Sequence, residues 1–114
     1  MVLKDLVDKL NLIEVNVCDS SSEVKGGLCT DLLSLVFSHS SPGSIWVTHQ
    51  NHPNIIAVAL LAELSAIIVV GEVEEETIKA AKEKGMNVFS TQKSLFDIVG
   101  KLYSLGVSTE NASV

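Results

Sequence analysis

Apolar and polar positions follow two periods along this chain. Val2, Leu3, Leu6, Val7 and Leu10 recur at helical spacing with Lys4, Asp5, Asp8 and Lys9 between them, which predicts a short amphipathic helix. Leu12 to Val17 then alternates apolar and polar side chains, the pattern of a half-buried strand at a sheet edge. Asp19 to Ser22 reads as a turn, and so does the glycine pair Gly26-Gly27. Thr30 or Asp31 is placed to cap a helix carrying Leu32, Leu35 and Val36, which stops before Ser40-Ser41-Pro42-Gly43.

The stretch from Gly43 to Val70 predicts a strand, a polar turn, a helix and a second strand. Ile45 to Thr48 is a short apolar run containing Trp46, and Pro53 suits the first turn of a helix, where its missing N–H would be unpaired anyway. All eight side chains from Ile55 to Ala62 are apolar, so this helix is expected to be buried on every side, one face on a sheet and the other on a helix or another subunit. Ala66 to Val70 has the β-branched content of a strand covered on both faces.

Past Gly71, Glu74-Glu75-Glu76 open a helix at its positive end, Lys79, Lys82 and Lys84 lie towards its negative end, and Gly85 supplies the stop. Met86 to Phe89 predicts a further strand, with Ser90-Thr91 leading into a helix from Ser94 to about Leu105. That helix has a main stripe of Leu95, Ile98, Val99, Leu102 and Leu105 and a second stripe of Phe96, Gly100 and Tyr103. Strands alternating with helices imply an α/β fold: a single three-layer domain with a small, mostly parallel sheet flanked by helices. The domain is expected over residues 1–107, followed by a flexible polar tail, 108–114, whose Asn111-Ala112-Ser113 is a glycosylation sequon only in a secreted protein.

Composition sharpens the picture. At 46% hydrophobic and 19% charged, the 114 residues carry fewer charges than the roughly 25% usual for globular domains, which points to apolar surface and a partner. A net charge of −6 with only eight scattered basic residues argues against nucleic acid and against an acidic membrane surface. Ile55 to Val70 is shorter than the ~20 residues of a membrane span and contains Glu63 and Ser65. Cys18 and Cys29 lack a CxxC spacing, and Met1 to Leu10 lacks a signal peptide's apolar core, so a cytoplasmic chain with reduced thiols is expected.

The densest set of chemically capable side chains is Thr48-His49-Gln50-Asn51-His52. It falls where a parallel sheet presents ligand-binding loops. His49 and His52 make a metal site only with a third ligand, which no spacing supplies, although Asp31 or Glu72 would help if the loops converged. No metal or cofactor is expected. A small anionic ligand fits better, because helix N-termini favour anions; its expected contacts are Gly26, Gly27, Thr48, His49, Gln50, Asn51, Ser90 and Thr91. No G-x-S-x-G elbow is present, and Cys29 has no histidine at a diagnostic offset.

Taken together, the glycine pair leading into TDLLS, then SIWVTHQNHPNIIAVALLAELSAIIVV, the helix ending AKEKG, the strand NVFST and the helix SLFDIVGKLY resemble the DRTGG domain across about residues 1–107. Glu23-Val24-Lys25 stand where Asp-Arg-Thr would be, and Gly26-Gly27 keep the rest of the motif. The resemblance implies a fold like the N-terminal domain of HPr kinase/phosphorylase, also inserted in some CBS-domain pyrophosphatases and phosphotransacetylases. In these proteins other domains carry the catalysis, so an accessory module is implied. The serine kinase label sometimes given to small free-standing versions does not transfer, because phosphoryl transfer needs a phosphate cradle and no G-x-x-x-x-G-K-[ST] occurs.

The expectation is therefore a non-catalytic regulatory or dimerisation module acting through protein–protein contact. Ile55, Ile56, Leu60, Phe96 and Tyr103 are its expected dimer interface. The alternative is a sensor that binds a nucleotide or phosphorylated metabolite at the C-terminal ends of the strands.

Overall fold

The computed structural model describes residues 1–109; the remainder of the expected tail, 110–114, with its Asn111 sequon, lies outside the described residues. Five strands, β1 (Ile13–Asn16), β2 (Gly26–Cys29), β3 (Ser44–Thr48), β4 (Ala66–Val70) and β5 (Val88–Thr91), form one sheet in the order β1-β5-β4-β3-β2. β2 to β5 are parallel, and β1 runs antiparallel to β5 at the edge. The helices are α1 (Leu3–Leu10), α2 (Leu33–His39), α3 (Asn54–Leu61), α4 (Glu75–Lys84) and α5 (Leu95–Ser104).

The parallel strands are added in one direction, from β2 through β3 and β4 to β5. Crossovers of a single hand then leave their helices on one side of the sheet, and α2, α3 and α4 do share a face. There Val36, Ile55, Ile56, Ala59 and Ala81 pack on Trp46, Ile67, Val69 and Val88. On the other face, α1 and α5 bring Leu3, Leu6, Leu10, Ile98 and Leu102 onto Ile45, Val47, Ala66, Ile68 and Phe89. Alternate residues of β3 and β4 thus feed opposite cores, as the period of two along a strand requires. The result is three layers.

Local chemistry sets several element ends. Gly85 closes α4 at φ +82°, with Glu75 and Glu76 in that helix's first turn and Lys82 and Lys84 in its last. Ser94 caps α5 by accepting from the Asp97 N–H.

The structure departs from the sequence reading in four places. Gly26-Gly27 are not a turn but the start of edge strand β2, paired with Ser44 and Ile45. At Gly27 a side chain would be crowded, because a Cβ would lie 2.8 Å from Val107 Cγ1, which would have to shift. Neither Thr30 nor Asp31 caps α2, whose N-cap is Leu32; Thr30 Oγ1 accepts from the Leu32 N–H, and Asp31 turns towards β3. α3 is not buried all round: Leu61 is 76% exposed, because the helix lies on one sheet face between α2 and α4 and its outer side meets solvent. Finally, β5 runs to Thr91, so Ser90 and Thr91 are strand residues rather than a lead-in to α5.

Candidate functional site

The polar turn after β3 is held from both sides. Asp31, two residues beyond β2, places its carboxylate against the end of β3. Its Oδ1 accepts from the Thr48 hydroxyl and from the His49 N–H, each at 2.7 Å, while its Oδ2 lies 3.1 Å from His49 Nδ1. Gln50 Nε2 donates to the Asp31 carbonyl, and the Gln50 N–H donates to Thr48 Oγ1. On the other side, Asn51 Nδ2 donates to the Glu72 carbonyl, the Thr77 hydroxyl donates to the Asn51 carbonyl at 2.6 Å, and His52 Nδ1 lies 3.0 Å from Glu74 Oε2. Of the two helpers read from sequence, Asp31 meets the turn with its carboxylate and Glu72 with its backbone carbonyl only; the carboxylate at His52 is that of Glu74.

Electrostatics follow from this wiring. Partial burial alone would raise the Asp31 pKa, but the His49 N–H, the Thr48 hydroxyl and the His49 ring together hold its carboxyl below the usual range. Burial and the neighbouring Asp31 charge push the Cys29 thiol up. That thiol stays protonated, so it is a poor nucleophile. A carboxylate on imidazole Nδ1 is the orienting half of a catalytic triad, but among the described residues no hydroxyl or thiol hydrogen-bonds to His49 Nε2. No group of three or more His, Cys, Asp and Glu residues able to hold a metal occurs among the described residues.

The predicted ligand contacts separate into two sets. Thr48 and Thr91 both end parallel strands at the C-terminal edge, flanking β4, with His49, Gln50 and Asn51 in the turn beyond. Gly26 and Gly27 sit at the opposite end of the sheet, beside Ser44 and Ile45. Strand order does not reverse within the parallel set, so the switch-point crevice of doubly wound sheets is not formed between these strands.

The predicted interface residues separate as well. Ile55 and Ile56 are fully buried beneath α3 within the chain's own core and have no surface to offer, and Leu60 is half-buried. Phe96 and Tyr103 stand out from α5, 87% and 70% exposed. Beside Tyr103 runs a mainly apolar groove of about 350 Å³, between α5 (Val99, Leu102, Tyr103) and edge strand β2 (Gly27, Leu28, Cys29). Sequence reasoning missed this groove, because β2 was hidden under a turn-like glycine pair.

No protein-family model and no curated protein sequence matches the chain. The solved CBS and DRTGG domains of the regulatory region of a Clostridium perfringens pyrophosphatase, complexed with the activator diadenosine tetraphosphate, match it with a TM-score of 0.74 over 98% of its length. The fold is DRTGG-like. The chain spans half the length of that pyrophosphatase structure, and at 17% identity the likeness establishes the fold alone. No helix of the described residues is long and apolar enough to cross a membrane.

Proposed function

We propose that this DRTGG-like domain is a non-catalytic regulatory module that works by association, pairing with a second copy of itself through α5. The observation that carries the reading is the outer stripe of that helix. Two large aromatic side chains, Phe96 and Tyr103, are exposed on an element whose main stripe already fills the core. Exposed aromatics, one of them lining an apolar groove, are the usual composition of a protein-binding surface. The non-catalytic reading rests on what the candidate groups are engaged in: Cys29 is held as a thiol, and Asp31 and His49 bind each other and the turn backbone. Sedimentation velocity over a micromolar concentration series tests the proposal. A species of twice the chain mass supports it, and a monomer throughout removes its basis.

A second reading, a sensor of phosphorylated small molecules, has one observation in its favour. The Thr48 hydroxyl and the His49 N–H converge on an oxyanion, here the chain's own Asp31 carboxylate. A phosphate would have to displace Asp31. Melting temperatures of the wild type and of Asp31→Asn with inorganic phosphate, ATP and diadenosine tetraphosphate test this, since a ligand that binds the native state must stabilise it. A shift with any of the three supports the sensor, and no shift in either protein counts against it.

A further inference from the structure

We infer that the second copy docks by an antiparallel pairing of α5 with its counterpart, crossing beside Gly100, with Phe96 of each protomer entering the groove next to Tyr103 of the other. The inference rests on the proposal that the chain dimerises and adds the geometry of the pair.

Gly100 is the first reason. It lies in the interior of α5 and is exposed, and a Cβ built there would meet nothing within 4 Å. The fold of one chain therefore gives no steric reason for glycine at a position where nearly every other residue makes a better helix. A bare Cα on an exposed helix face does permit the close approach of another backbone. Phe96 and Tyr103, four residues before and three after, lie on the same face. Gly100 is thus the low point between two aromatic ridges.

Charge sets the direction. Asp97 and Lys101 flank the stripe one turn apart. Under a two-fold axis near Val99 and Gly100, residues at nearly equal distances on either side of the axis come opposite each other. Phe96 then meets the partner's Tyr103, and Asp97 meets the partner's Lys101. Each pairing occurs twice, as a self-complementary two-fold interface demands. A parallel pairing, about a two-fold along the helices, would instead place the two Asp97–Lys101 edges on opposite sides of the pair, so that neither charge meets an opposite one. The groove completes the fit, because its apolar lining, including Val47, Val99 and Val107, lies on the β2 side of Tyr103 and its 350 Å³ takes an aromatic ring.

The test uses light scattering and sedimentation on the full chain and three variants. Asp97→Lys and Lys101→Asp each create like-charge contacts across the axis, and each is expected to weaken self-association by at least about tenfold. An equimolar mixture of the two variants is expected to form a heterodimer, because opposite charges face each other again. Gly100→Leu, which improves helix propensity, is expected to abolish dimerisation with helix content and melting temperature retained. If the wild type dimerises while Gly100→Leu and both charge variants dimerise as tightly, this geometry is wrong and the dimer proposal stands. If the wild type is monomeric, both fall.

Discussion

The Thr48 hydroxyl, at the end of β3, donates a 2.7 Å hydrogen bond to the carboxylate of Asp31, which lies just past the end of the neighbouring strand β2. With the His49 N–H on the same oxygen, this contact binds two consecutive strand-to-helix connections together.

A pH dependence follows. The folded-state pKa of Asp31 is depressed, so the unfolded chain binds that proton more tightly. The stabilisation is fully present above the ordinary carboxylate value of about 4 and is lost as the pH falls through the lower folded-state value. Asp31→Asn is expected to destabilise the domain by about 1 kcal/mol at neutral pH, because charge-assisted hydrogen bonds weaken. Urea unfolding at neutral and at acid pH is expected to show a smaller difference between variant and wild type in acid than at neutrality. A difference that stays constant with pH would assign Asp31 no linkage.

How much of this was legible in the sequence depends on how local the cause is. Ala66 to Val70 declared itself, because a strand covered on both faces must be apolar at successive positions. The ends of α4 were equally plain, since acids, lysines and a terminal glycine answer to the helix's own dipole and backbone. β2 was illegible for the opposite reason. Gly26-Gly27 look like a turn, and what makes them a strand is pairing with β3 and the packing of Val107, which is 80 residues away in the chain. The all-apolar run of α3 misled in degree, because apolar composition permits burial without requiring it, and Leu61 stays in solvent. For the site, the polar turn was visible, and so were Asp31 and Glu72 as candidate helpers. The grouping of Gly26 and Gly27 with Thr48 failed, because the register of parallel strands puts them at opposite ends of the sheet.

Gly27 offers a direct check of the packing at β2. Gly27→Ala places a methyl group 2.8 Å from Val107 Cγ1 and 3.4 Å from Ile45 Cγ2. Overpacking of this kind is expected to cost roughly 1–3 kcal/mol. Val107→Ala in the same background removes the nearest clash, so the double variant should be more stable than the sum of the single effects predicts. Strict additivity in chemical denaturation would contradict the contact.

Asn87 is a buried clamp that no motif announced. Its Oδ1 accepts from the Cys18 and Asp19 N–H groups at 2.7 and 2.9 Å, and its Nδ2 donates to the Asp19 and Ser65 carbonyls, both at 3.0 Å. Only an amide supplies two donors and an acceptor in this shape. Asn87→Asp sets a carboxylate against two carbonyl oxygens, and Asn87→Leu leaves all four backbone groups without their partner. Either is expected to destabilise by roughly 2–4 kcal/mol, read from the urea midpoint. A cost under about 0.5 kcal/mol would fit an ordinary surface position and rule out the clamp.

The central claim is that the exposed aromatics of α5, rather than apolar surface in general, carry self-association. Light scattering on the wild type, Phe96→Asp and Leu61→Asp tests it most directly, because Leu61 is 76% exposed on the opposite face of the molecule. The account predicts dimers for the wild type and for Leu61→Asp, and a folded monomer for Phe96→Asp with its melting behaviour in the monomer preserved. A dimeric Phe96→Asp, or dissociation by Leu61→Asp alone, would contradict it.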